Sequence, residues 1–158
     1  MKNIFKLMAL FAFVLCFASC DDDEKVEIPA LPVTAANLNG TWQLSEWNGQ
    51  ALAEGTYCYI TFNRRELTFE MYQKFDSMSA RYITGSFNIE NDPYLGYVIS
   101  GEYDFGNGDW NNDYIVTDLL ESGSMIWTVK DDDSDVNKYV RCEKVPESII
   151  EEAKTNKN

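Results

Sequence analysis

Leu67, Phe69 and Met71 alternate with Glu66, Thr68 and Glu70. Side chains of an extended chain point to opposite faces in turn, so this two-residue rhythm describes a strand with one dry face and one wet face. From Gly40 onward strand signals return about every 10–15 residues, with turn residues between them. They predict strands over residues 41–47, 56–62, 66–72, 80–89, 94–105, 114–120, 125–130 and 138–144. Cys58, Ile60 and Phe62 share one face of the second strand, and Ile83, Phe87 and Ile89 one face of the fourth. In the fifth, Leu95, Tyr97, Ile99, Tyr103 and Phe105 fall on one side, and Gly96 and Gly101 predict a bulge or bend. Met125, Trp127 and Val129 face the core from the seventh. Strict alternation in the eighth puts Val140 and Cys142 inward and Arg141 outward. Polar loops are expected at 106–112 and 131–135, and Pro146 starts a short amphipathic helix over 146–153.

Eight strands in sequence with short links describe an all-β, antiparallel, up-and-down meander. Eight strands close into a barrel that either fills with side chains or holds one small ligand, and closure removes exposed edges. A two-sheet β-sandwich gives the same periodic signal and is the alternative. In a closed meander Cys58 and Cys142 stand two strand spacings apart, roughly 9–10 Å. A disulfide needs Cα atoms within ~7 Å. Two buried free thiols are therefore expected, and a bond only if the first strand ends early.

Residues 1–19 form a separate unit. Lys2 and Lys6 precede an uncharged apolar run over 7–17, shorter than the ~20 residues of a membrane-spanning helix and suited to a signal-peptide core. Phe17-Ala18-Ser19-Cys20 resembles the bacterial lipobox. That resemblance implies cleavage before Cys20 and diacylation of its thiol, two chains being enough to anchor stably. An ordinary signal peptide cut near Ala18 is the alternative. Asp21-Asp22-Asp23-Glu24 resembles the acidic surface-export signal of Bacteroidota lipoproteins, which implies an outer-membrane, lipid-anchored protein displayed on the cell surface. As bare chemistry the run is a solvated tether. The expected organisation is a leader (1–19), an acidic tether (20–37) and a β-domain with its C-terminal helix (38–158).

Leu38-Asn39-Gly40-Thr41-Trp42 resembles the start of lipocalin-like domains, whose first strand carries Gly-x-Trp. The layout of residues 38–153 fits the same family. The resemblance implies an eight-stranded barrel with a C-terminal helix and a small molecule bound within it. It also implies that Trp42 plugs one barrel end and stacks on a basic residue in or after the last strand, for which Arg141 is the candidate. The departure is the alternation that turns Arg141 outward unless a bulge intervenes.

The formal charge is −13, and loss of Lys2 and Lys6 with the leader takes it to −15. Such an acidic chain argues against nucleic acid, whose phosphates need Lys and Arg, and favours neutral or cationic partners. There is no histidine, which removes the commonest general base and zinc ligand, and no nucleophile elbow or phosphate-binding glycine loop. The expectation is a non-catalytic protein without a cofactor. Asn107, Asp109, Asn111 and Asp113 place oxygens at alternate positions, resembling the front of a calcium loop. Asn112 stands where such a loop turns on glycine, so a solvated hairpin loop is the preferred reading. Tyr97, Tyr103, Trp127, Phe69 and Phe87 are candidates to line an interior pocket for a small apolar ligand, against a fully packed interior. The alternative function is a surface module for protein or glycan through loop 106–113, anchored by Trp110. An interior void of ~300 Å³ or more favours the first.

Overall fold

The computed structural model describes residues 29–75 and 79–155. The expected leader, the Cys20 lipid site and the tether as far as residue 28 lie outside the described residues. The strands are β1 (Gly40–Trp47), β2 (Gln50–Ala51), β3 (Tyr57–Asn63), β4 (Thr68–Lys74), β5 (Arg81–Asp92), β6 (Gly96–Tyr103), β7 (Tyr114–Leu120), β8 (Ser124–Val129) and β9 (Asp132–Cys142). β2 only prolongs the hairpin after β1, pairing Glu46 with Ala51 and Trp47 with Gln50. The other eight pair antiparallel in chain order from β1 to β9. The ring closes where β9 returns to β1, with Trp42 opposite Arg141 and Leu44 opposite Tyr139. One continuous closed sheet replaces the sandwich alternative. A short helix α1 (Ala35–Leu38) precedes the barrel, and α2 (Glu147–Thr155) follows it.

Directly opposite residues of an antiparallel pair point to the same face. Trp42 and Leu44 are buried in the core, so Arg141 and Tyr139 face inward too, and Val140 and Cys142 face out. The expected phase of the last strand is thus reversed. β9 carries too few apolar residues to set its own phase, and β1 sets it instead. No bulge is needed between 139 and 142, since the register shift in this pair lies between Leu44 and Glu46. Cys58 is buried on the inner face and Cys142 lies on the outer, and both thiols are free.

Other departures have local causes. Leu67 sits in the β3–β4 turn at φ 54°, exposed rather than on the core face. Leu95 falls in the β5–β6 turn, where the Asp92 carboxylate accepts the N–H groups of Tyr94 and Leu95. Phe105 leaves the strand for a 3-10 turn over Asp104–Gly106 and is 94% exposed. Gly101 makes no bulge, because β5 and β6 pair without interruption from Gly85–Tyr103 to Asp92–Gly96. The acidic loop at 131–135 shrinks to a tight turn, since β9 starts at Asp132.

One end of the barrel is plugged. Leu38 and Trp42 are fully buried there, and Trp42 donates its indole N–H to Leu38 O at 2.7 Å. The Arg141 guanidinium lies 4.2 Å from the Trp42 ring centroid and donates to Asn39 O and Asn37 O at 2.6 and 2.7 Å. A stacked cation of this kind contributes ~0.5–2 kcal/mol. Residues N-terminal to α1 cross the same end, with Val33 buried and Leu31 N–H bonded to Leu119 O at 2.7 Å.

Candidate functional site

The opposite end is open. A cavity of about 390 Å³ enters the barrel there, walled by Leu44 and Trp47 of β1, Cys58 of β3, and Met71 and Gln73 of β4. Tyr103 ends β6 on its far side, Tyr114 and Trp127 come from β7 and β8, and Asp135, Asn137 and Tyr139 come from β9. Alternation explains the set: Asp135, Asn137 and Tyr139 are two residues apart on one strand and share its inner face. Its volume lies within the ~300–1,000 Å³ of small-molecule pockets.

Aromatic rings make the floor. The Trp127 ring lies 4.8 Å from Tyr139, 5.2 Å from Tyr114 and 5.8 Å from Trp110. Trp110 reaches this position because its loop folds back into the barrel. Tyr103 N–H bonds to Gly108 O at 2.8 Å and Trp110 N–H to Gly101 O at 2.7 Å, with a bridge between Glu102 and Asp109. A Cβ on Gly101 would fall against Cε2, Nε1 and Cδ2 of the Trp110 ring, so only glycine leaves the indole its seat. Trp110 Nε1 is buried without an acceptor, a cost of about 1–3 kcal/mol for such a group.

The polar groups are amides, phenols, one thiol and one acid. Asp135 Oδ1 accepts the Trp47 indole N–H at 2.8 Å and Asn137 Nδ2 at 3.2 Å. Burial pushes the Cys58 thiol up to about 12, with a hydrogen bond from Tyr139 in opposition. Burial likewise holds the Tyr139 phenol well above its ordinary value. Tyr114 is also raised, by burial first, with Asn112 opposing and Asp135 adding. These thiol and phenol groups are therefore neutral at physiological pH, and Asp135 is the one acid among the residues lining the mouth.

A larger concavity of about 840 Å³ lies on the flank, between β5 and the β6–β7 loop. It shares Tyr103, Trp110 and Tyr114 with the mouth but opens outward over Arg81, Thr84 and Asp104. The opening at the barrel end, with its ring floor, is the better candidate site because its lining is the more apolar of the two.

The structure separates the five residues expected to line a pocket. Tyr103 and Trp127 line the mouth. Phe69 packs edge-on to Trp110 at 5.1 Å and to Tyr103 at 6.2 Å, and is almost fully buried. Phe87 packs on Phe62 at 4.9 Å and, with Tyr97, borders a depression beside Val33 on the far side of the core. Trp42 and Arg141 meet at the plugged end. The loop oxygens disperse: Asn107 Nδ2 bonds to Asp104 O, Asp109 bridges to Glu102, Asp113 lies 3.8 Å from Lys130, and Asn111 borders the mouth. No group of three His, Cys, Asp or Glu side chains gathers among the described residues. Trp110 is buried, so the loop does not present it as an exposed platform. Sequence reasoning missed Tyr139, Asn137 and Asp135, whose signal was their pairing with β1 rather than any pattern in β9.

A family model described as a lipocalin-like domain matches residues 38–127, more than half of the chain. No curated protein and no solved structure matches it.

Proposed function

The chain belongs to the lipocalin-like domain family, and from that membership we propose that it is a non-catalytic binding protein holding a small molecule in the mouth of its barrel. The observation that carries this reading is the 390 Å³ opening at the unplugged end of the barrel with Trp127 at its floor. Export belongs to the same reading. Residues 1–19 act as a signal peptide, and Cys20 carries the lipid at the outer membrane, with Asp21 to Glu24 directing the protein to the cell surface.

N-phenyl-1-naphthylamine, a neutral apolar dye, tests the pocket. Its emission should rise on titration of the full chain. Tyr103→Ala should weaken binding about fivefold, while Tyr97→Ala at the far end leaves it unchanged. Absence of any gain, or sensitivity at Tyr97 alone, would sink the assignment. Incorporation of labelled palmitate that survives Cys20→Ser would refute the anchor.

A further inference from the structure

The mouth offers one sign of charge. Asp135 stands half-buried above the rings, one oxygen held by the neutral donors of Trp47 and Asn137. No lysine or arginine lines the cavity. Among the described residues no ion pair involves Asp135. Arg81 belongs to the outer cleft beyond Tyr103, which it shares with Asp104. The chain as a whole carries −13, so the field around the mouth has the same sign.

A carboxylate at a cavity rim that holds no lysine or arginine raises the local concentration of a cationic ligand there. Ring faces are electron-rich and attract the same charge. The Trp127 indole has a Trp and two Tyr rings within 5.8 Å of it, below that acid. An anionic head group, such as a fatty-acid carboxylate, would set a second negative charge beside Asp135 with nothing to offset it.

We propose that the mouth selects a ligand whose flat or apolar body carries a cationic nitrogen, an ammonium from primary to quaternary, with the body on the Trp127 floor and the nitrogen toward Asp135. The assignment rests on the mouth being the binding site. It goes further by fixing the charge of the occupant.

Three probes of similar size separate charge from shape: 2-phenylethylammonium, 2-phenylethanol and 3-phenylpropanoate. Each is titrated into the full chain and followed by tryptophan emission. The ammonium should bind tightest and the carboxylate weakest, about tenfold or more apart, with the gap closing at high ionic strength. Asp135→Asn should bring the three within about threefold. The wild-type ordering and its salt dependence stand as a test even if that variant folds poorly. Equal affinities, a preference for the carboxylate, or dye binding with no probe binding would overturn the charge assignment and leave the pocket intact. Failure of the dye and of all three probes would remove both.

Discussion

Gly101 has no side chain because Trp110 occupies the place where one would go. Its backbone is ordinary extended strand, and the nearest atoms to a side chain there are those of the indole. Gly101→Val should therefore push Trp110 out of the barrel and cost about 1–3 kcal/mol, the range for overpacking a filled site. In a Trp110→Ala background the same change should cost less than ~0.5 kcal/mol, since the clash is gone. Urea midpoints of the four proteins in this cycle measure the coupling. A Gly101→Val penalty that persists without Trp110 would show that the glycine serves something else. The same pair bears on function, because the ring that Gly101 admits forms part of the mouth floor.

At the scale of elements, α2 is fastened to the outside of the barrel by few contacts. Val145, just ahead of it, and Ala153, within it, are buried. Glu152 accepts Lys74 Nζ at 2.6 Å and the Tyr57 hydroxyl at 3.1 Å. The Lys74 hydrogen bond holds the Glu152 carboxyl below its ordinary value. Burial, followed by the Glu152 contact, pushes Tyr57 up to about 12. A lowered carboxylate stabilises the fold above its unfolded value and loses that contribution as pH falls through the folded one. A raised phenol contributes below its unfolded value and is lost as pH rises through about 12. The clamp is therefore complete between the ordinary carboxylate and phenol ranges. Its side chains are 29% and 38% exposed for Lys74 and Glu152, so solvent discounts it to about 0.5–1 kcal/mol. Glu152→Gln should speed amide exchange in 147–155 at neutral pH without changing the barrel strands, and the difference should vanish in acid. Uniform loosening of the barrel would refute the local clamp.

The middles of strands were legible where a segment carried its own alternation, while ends such as Leu67, Leu95 and Phe105 went to turns. β7 spans the residues expected of it, and Met125, Trp127 and Val129 are buried as their spacing required. β9 was not legible in phase, because its inner residues are Asn137, Tyr139 and Arg141, and only pairing with β1 orients them. The mouth inherited that blindness. Its acid and amides come from β9, and its Trp110 comes from a loop whose inward fold depends on main-chain bonds to β6. At the plugged end, by contrast, the geometry is local, since Trp42 and its N–H bond to Leu38 lie within five residues of sequence.

For the molecule as a whole, the direction in which the chain enters sets the direction in which the mouth faces. Residues 29–38 cross the plugged end, where Leu31 bonds to Leu119 and Val33 is buried. β1 then runs away from that end to the open one, a path of about 26 Å along eight residues. The nine Cα-to-Cα steps from Cys20 to Pro29 span at most ~32 Å. If Cys20 carries the lipid, the plugged end is tied nearer the bilayer and the mouth points outward, toward the ligand. Tyr94, 94% exposed in the β5–β6 turn, reports the tied end, and exposed Ala53, between β2 and β3, reports the mouth. With Cys58 and Cys142 replaced by serine, fluorophores at Tyr94→Cys and Ala53→Cys can be compared on vesicles whose headgroups carry a quencher. The Tyr94 position should be quenched more. Equal quenching would mean that the tether lets the barrel tumble freely, and stronger quenching at Ala53 would mean that the mouth opens on the membrane and draws its ligand from there.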